Sequence, residues 1–271
     1  MNFKLLFKLL GGFWIGLAFI MLAPTLYAFS IQIDTAPFLI VVTSCAFTGA
    51  FSWYRNRSAK GDLNIKTSFA FVTFCWLSVC FFGAFPYLLS NSLPNFVDSF
   101  FEACSGFTGT GASVLNNIEA TSAPILLWRS MTQWLGGIGI IVFFIVLLPL
   151  LGVSSAQAYR AESTGGTDEH QNVRIQTTAR NIWLIYSGFT GILIVILWLF
   201  GMNWFDAINH SLTTISTGGF STKNTGIAAF NSAKIDYAIA VFMLFSSTNF
   251  AIHFRLLTGK IAGLSLSLIH I

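Results

Sequence analysis

Two short stretches of the chain combine Gly, Thr and Ser in an order that lets several oxygens face one point. They are Thr108-Gly109-Thr110-Gly111-Ala112-Ser113 and Ser216-Thr217-Gly218-Gly219-Phe220-Ser221-Thr222. Glycine permits the φ > 0 geometry that turns successive carbonyls toward an axis, and the Thr and Ser hydroxyls add further oxygen ligands. Oxygens so arranged replace water around a dehydrated cation. The same residue types also build ordinary external loops, so TGTG or STGG alone is a weak signal. Position strengthens it. Each stretch lies in a 16-residue uncharged segment, 103–118 and 207–222, too short to cross a bilayer and set between two longer apolar stretches. A shift of 108 residues aligns the pair without a gap, placing Asn95 on Asn203, Asp98 on Asp206, Gly111 on Gly219 and Ser113 on Ser221, with Phe96 over Trp204. The alignment predicts two half-helices, Phe96 to Phe107 and Trp204 to Ile215, each followed by a polar tip. Non-helical backbone at membrane depth is tolerated only where protein or a water-filled cavity satisfies it, a condition that a re-entrant pore loop meets. The C-terminal dipole end of each half-helix then favours a cation.

The elements that must hold these tips follow from composition and charge. Of 271 residues 55% are hydrophobic and only 9% charged, with 29 Phe and 8 Trp. A water-soluble domain carries about 25% charged residues, so the balance excludes a globular cytosolic enzyme, a disordered chain and a secreted disulfide scaffold. Six uncharged stretches of 18 residues or more remain between charges: 9–33, 35–54, 67–97, 130–159, 181–205 and 237–254. A bilayer core needs roughly 20 apolar residues per helix, so each is a candidate span. The first exceeds a signal-peptide core and reads as a retained helix. With the N-terminus in the cytoplasm, 11 of the 14 Lys and Arg residues fall inside, leaving only Arg129, Lys223 and Lys234 outside. That asymmetry sets the orientation. Six of the ten acidic residues lie outside, where they concentrate cations at a pore mouth. The basic balance therefore reports topology and contact with anionic membrane lipid, and no nucleic-acid partner is expected.

Other polar residues invite functional readings. Asp98 and Asp206 suit the first turn of the half-helices better than ion coordination. Glu102, opposite His210 in the alignment, reads as a buried polar contact. Gly136, Gly137 and Gly139 read as helix contacts rather than a hinge. Arg129 is expected to anchor its span at the interface, and His253 and Arg255 to snorkel at the cytoplasmic end of the last span, with Asn249 one turn above. Cys45, Cys75, Cys80 and Cys104 show no metal-binding spacing and read as small buried hydrophobes. No HExxH or GxSxG occurs, nor a His or carboxylate pair inside a span, so the chain is not expected to be an enzyme and no cofactor is implied.

Four blocks, EACSGFTGTGAS, LWRSMTQWLGGIGIIVFFIVLLPLLGVSSAQAYRAES, VRIQTTARNIWLIY and STGGFST, resemble the membrane subunit of bacterial Trk potassium uptake systems, the TrkH/TrkG type of the Trk/Ktr/HKT superfamily. The resemblance runs from the N-terminus to about Lys260. It implies an all-α polytopic membrane protein with two leading transmembrane helices followed by span-pore loop-span repeats, four in the family, around one pseudo-fourfold pore. It also implies a bacterial cytoplasmic (inner) membrane location and homodimerisation. A cytosolic, nucleotide-binding regulatory subunit of the TrkA type is the implied partner, docking near the cytoplasmic loop Ala156 to Arg180. Whether transport is a channel or a symport stays open. Carried over, the filter glycines fall on Gly111 and Gly219. Thr108, Gly109, Thr110, Ser216, Thr217 and Gly218 supply the remaining filter backbone, with K+ the transported ion held at Thr110, Gly111, Gly218 and Gly219. In related transporters Ser at the first glycine goes with Na+ selectivity, so Gly111 favours K+.

The expected division is a leading helix pair at 1–60, a first repeat at 61–155, a cytoplasmic linker at 156–180, a second repeat at 181–260 and an atypical tail at 261–271. Only two of the four repeats are present, so the chain is expected to be the N-terminal portion of a larger K+ pore. Two alternatives remain: an inactive truncated fragment of such a transporter, or a non-transport membrane protein.

Overall fold

The computed structural model describes residues 2–59, 65–150 and 168–248, together with positions 253 and 256. The chain opens with a helical hairpin, α1 (Phe3–Ser30) and α2 (Ala36–Arg55). Asn2 caps α1 by accepting from the Leu5 amide, and Pro37 stands in the first turn of α2, where its missing N–H is not needed. The two helices touch backbone to backbone: a Cβ on Gly11 would run into the Gly49 carbonyl and the Trp53 amide, and one on Gly49 into the Gly11 carbonyl. Small residues permit such approach where lipid supplies no hydrophobic drive between helices. The Ser52 hydroxyl adds a bond to the Phe7 carbonyl (2.6 Å), and Lys8 donates to the carbonyls of Arg57 and Ala59 just past the end of α2.

After the hairpin come α3 (Ile65–Leu89), the short α4 (Phe96–Phe107) and α5 (Ala123–Leu150). Then follow α6 (Asp168–Leu199), the short α7 (Trp204–Ile215), a 3-10 turn (Gly226–Phe230) and α8 (Ala233–Ser247). The short helices occupy the bounds expected from the 108-residue alignment. α4 packs on α3 and α5; α7 packs on α5, α6 and α8. α5 thus lies between the two short helices.

Four described helices are long and apolar enough to cross a membrane: Phe3–Ser30, Ala36–Arg55, Lys66–Leu89 and Arg180–Leu199. They correspond to the first, second, third and fifth expected spans. The fourth falls on α5, whose 28 residues run about 42 Å at 1.5 Å per residue. The sixth, expected over 237–254, is described as α8 only to Ser247, with Thr248 extended. The linker expected over 156–180 is described from Asp168 onward, where the backbone is already helical. No Gly or Pro interrupts 168–180. The remainder of that linker and the tail 261–271 lie outside the described residues, as do Asn249 and Arg255.

Two buried clusters make the interior. One joins α1, α2 and α3 to α4 and α5 through Met21, Phe38, Cys45, Tyr87, Phe107 and Trp128. The other joins α5, α6, α7 and α8 through Ile138, Tyr186, Leu193, Ile215 and Phe242. Phe107 and Ile215, aligned across the repeat, end their short helices in separate clusters. The outward faces carry large apolar side chains, among them Phe19, Phe29 and Phe47 on α1 and α2. An apolar exterior of this extent suits lipid.

Candidate functional site

Each short helix is started and stopped by its own residues. Asn95 caps α4 by accepting from the Val97 amide, and Asn203 caps α7 by accepting from the Asp206 amide (2.8 Å). The Asn203 amide nitrogen in turn donates to the Asp206 carboxylate. Asp98 and Asp206 stand in the first turns, the structural place expected for them.

At the C-terminal ends the backbone repeats almost degree for degree. Thr108 has φ −81, ψ −6 and Ser216 has φ −80, ψ −4. Next, Gly109 and Thr217 both adopt positive φ (68 and 54), and two residues later Gly111 and Gly219 do so again (75 and 82). The amide of Thr110 bonds back to the Ser105 carbonyl and that of Gly109 to Gly106; Gly218 to Thr213 and Thr217 to Thr214 are the same bonds shifted by 108. This is the Schellman pattern, which satisfies carbonyls that a helix end leaves open. Thr217 pays for it in strain, since a β-branched residue in left-handed backbone is an outlier.

The structure brings the two sets of sequence-nominated residues together. A Cβ on Gly111 would strike the Gly218 carbonyl, so the loops meet there with no room for a side chain. The Thr108 hydroxyl bonds to the Cys104 carbonyl and lies 2.8 Å from the Thr110 hydroxyl, while the Ser216 hydroxyl bonds back to Leu212 and Thr213.

Behind the loops lies a polar scaffold in an otherwise apolar interior. Buried Glu102 accepts from the Ser113 hydroxyl (2.9 Å), the Val114 amide (3.0 Å) and Arg129 Nε (2.6 Å). Arg129 Nη1 reaches the Ser221 carbonyl (2.9 Å) in the second loop, and its guanidinium lies 3.6 Å from the centre of the Phe220 ring. Arg129 is therefore not an interface anchor: it is 2% exposed and ties the first short helix to the second loop. In the second unit His210 Nε2 lies 3.5 Å from the Ser221 hydroxyl, the place that Glu102 and Ser113 hold in the first. Asp206 accepts from Thr222 (2.6 Å) and meets Lys223 at 3.4 Å. Farther out, Asn224 accepts from the Ile118 amide and donates from its own backbone to Glu119, joining the segments that leave the two loops.

α5 supplies three more contacts. Gln133 bonds to both sides of Gly219 in the second loop. Gly136 lies under the Phe107 carbonyl, and Gly137 under Ser216 and the Tyr186 hydroxyl, while Gly139 meets open space among the described residues. Two of the three glycines are thus close helix contacts, as expected. Sequence reading missed Gln133, although an amide and a guanidinium one turn apart in an apolar span are themselves a signal of function. His253 does not snorkel: it is buried against Phe189 and Phe245, with Nε2 2.9 Å from the Phe245 carbonyl. Among the described residues the cysteines are free thiols, Cys45 and Cys80 buried and Cys75 and Cys104 partly so, and no group of three or more His, Cys, Asp or Glu gathers as a metal site.

Four helices long and apolar enough to cross a membrane, with two short helices whose C-terminal loops share one backbone pattern, define an all-helical membrane protein. The chain belongs to the TrkH family of cation transport proteins, whose family model matches residues 36–266. It is 43% identical over 215 residues to the Trk system potassium uptake protein TrkH of Escherichia coli K12, covering 78% of this chain and 44% of that protein. It is 31% identical over 253 residues to TrkG of the same organism, covering 92% and 52%. The crystal structure of the potassium transporter TrkH from Vibrio parahaemolyticus superposes with a TM-score of 0.83 at 35% identity, over 96% of this chain and 53% of that one. The chain spans about half the length of the curated relatives it matches.

Proposed function

We propose that this chain provides two of the span-pore loop-span units of a K+-selective pore in a Trk-type uptake system of the bacterial inner membrane. The observation that carries the reading is the repeated backbone after α4 and α7, with positive φ at Gly109 and Gly111 and again at Thr217 and Gly219. Thr108 to Gly111 and Ser216 to Gly219 form the filter segments, with K+ meeting carbonyls among Thr110, Gly111, Gly218 and Gly219. Both short helices end at these segments, so their partial negative charge adds to the attraction for a cation. K+ gives up its hydration shell more readily than Na+, and a ring of carbonyl dipoles exploits that difference. The names of the relatives, all Trk potassium uptake proteins, support K+ as the ion. The distribution of Lys and Arg supports a cytoplasmic N-terminus, and a second copy and a TrkA-type cytosolic subunit are the proposed partners.

The test is a chimera in which this chain replaces the matched half of Vibrio parahaemolyticus TrkH, expressed in a bacterium lacking its K+ uptake systems. Growth at low K+ and uptake of labelled ion into liposomes are the expected results. A chimera that is well expressed and restores neither overturns the reading.

A further inference from the structure

Gln133 lies on α5 one turn beyond Arg129 and is fully buried. Both ends of its amide act on one point of the second loop. Nε2 donates to the Gly218 carbonyl (2.8 Å), and Oε1 accepts from the Phe220 amide (3.1 Å). The partners fix the orientation of the amide, because the flipped form would set N–H against N–H and oxygen against oxygen. A Cβ on Gly218 would overlap the Gln133 amide, so the clamp fits only a glycine there.

Peptide planarity turns these two bonds into a statement about Gly219. The Gly218 carbonyl belongs to the peptide plane before Gly219, and the Phe220 N–H to the plane after it. In a trans peptide, C=O and N–H point in opposite directions. With the Phe220 N–H aimed at Gln133, the Gly219 carbonyl in the same plane points away from α5. The Gly218 carbonyl points toward α5 and sits in the seam against Gly111. Consecutive carbonyls therefore face opposite ways on the two sides of Gly219. Among the described residues no side chain does the same for the Thr110 carbonyl, so the clamp belongs to the second loop alone.

We propose that Gln133 is a specificity-positioning residue: it withholds the Gly218 carbonyl from the ion and presents the Gly219 carbonyl in its place. The proposal rests on the pore reading and narrows the ligand set of the second loop to Gly219 and residues beyond Gly218. Gln133 acts through the loop and does not touch the ion.

Gln133→Glu is nearly isosteric and, assayed at a pH where the carboxyl is ionised, keeps an acceptor for Phe220, removes the donor to Gly218 and repels that carbonyl. Gln133→Leu removes both bonds. Uptake of 86Rb+ and 22Na+ by the chimera in liposomes is expected to show the Rb+/Na+ preference lowered about tenfold in the Glu variant and somewhat less in the Leu variant, the scale of one buried hydrogen bond. Hydrogen exchange of the segment 216–222 gives a readout independent of transport and is expected to quicken in both variants. Should Gln133→Leu fail to fold, Gln133→Glu carries the test. An unchanged ion preference in a folded variant, or unchanged exchange, overturns the proposal. Faster exchange in the variants of a parent chimera that itself moves neither ion overturns the pore reading and the specificity role with it, while leaving the clamp as a structural contact.

Discussion

Arg129 meets Glu102 at 2.6 Å with both side chains shut away from solvent, and the same guanidinium donates to the carbonyl of Ser221, 92 residues further along the chain. The pair thus joins the first short helix, the second long helix of that unit and the loop of the next unit. Leaving one partner of such a pair alone in an apolar interior is far more costly than never having had the pair.

Replacement of Glu102 by Gln, or Arg129 by Met, is expected to destabilise the protein by about 3–5 kcal/mol. The double variant, with no uncompensated charge, should recover much of that loss. Thermal unfolding of the detergent-solubilised protein, followed by size-exclusion chromatography, measures all three. A double variant as unstable as the worse single one would show that the pair contributes by position and not by charge balance.

Gly111→Ser places a side chain in left-handed backbone and drives it into the Gly218 carbonyl. The strain of the backbone alone is about 1–2 kcal/mol. In the chimera the substitution should weaken discrimination between K+ and Na+, read as the ratio of 86Rb+ to 22Na+ uptake at matched expression.

Gly136→Ala and Gly137→Ala each press a methyl group onto the end of a short helix, Phe107 in one case and Ser216 in the other. Overpacking of this kind costs about 1–3 kcal/mol. Gly139→Ala meets open space and serves as the control, with a melting temperature expected at or slightly above that of the parent.

Gly109 and Thr217 occupy the same left-handed position in the two loops, and only one of them is a glycine. Exchanging the residue types should therefore move stability in opposite directions. Thr217→Gly is expected to gain and Gly109→Thr to lose about 1 kcal/mol each. Melting curves under identical detergent conditions decide it; equal signs would mean that the Thr217 side chain contributes contacts that outweigh its backbone strain.

The bounds of the short helices were legible because their signals are local: an asparagine to start, an acidic residue in the first turn and a glycine-rich stop, duplicated at a spacing of 108. The scaffold behind the loops was not, for two physical reasons. Charge counting assigns Arg129 to the nearer membrane surface, yet a guanidinium that finds a carboxylate and a carbonyl at depth can stay buried. Gln133 sits in a helix apolar on nearly every side, where no hydrophobic stripe reveals which face meets another helix. The His210–Ser221 and Glu102–Ser113 correspondence was foreshadowed by the alignment, but not that Glu102 also pairs with Arg129.

Arg129, Gln133, Gly136 and Gly137 are spaced i, i+4, i+7 and i+8, so they fall on one stripe of α5 about 100° wide. A single residue inserted between Arg129 and Gln133 would turn the last three by about 100° relative to the first. Gln133 would move away from the backbone on either side of Gly219, and Leu135 would take the place of Gly136 under the Phe107 carbonyl. α5 therefore sets the rotational phase of both loops at once. Its length between Arg129 and Gly137 should therefore tolerate no insertion or deletion.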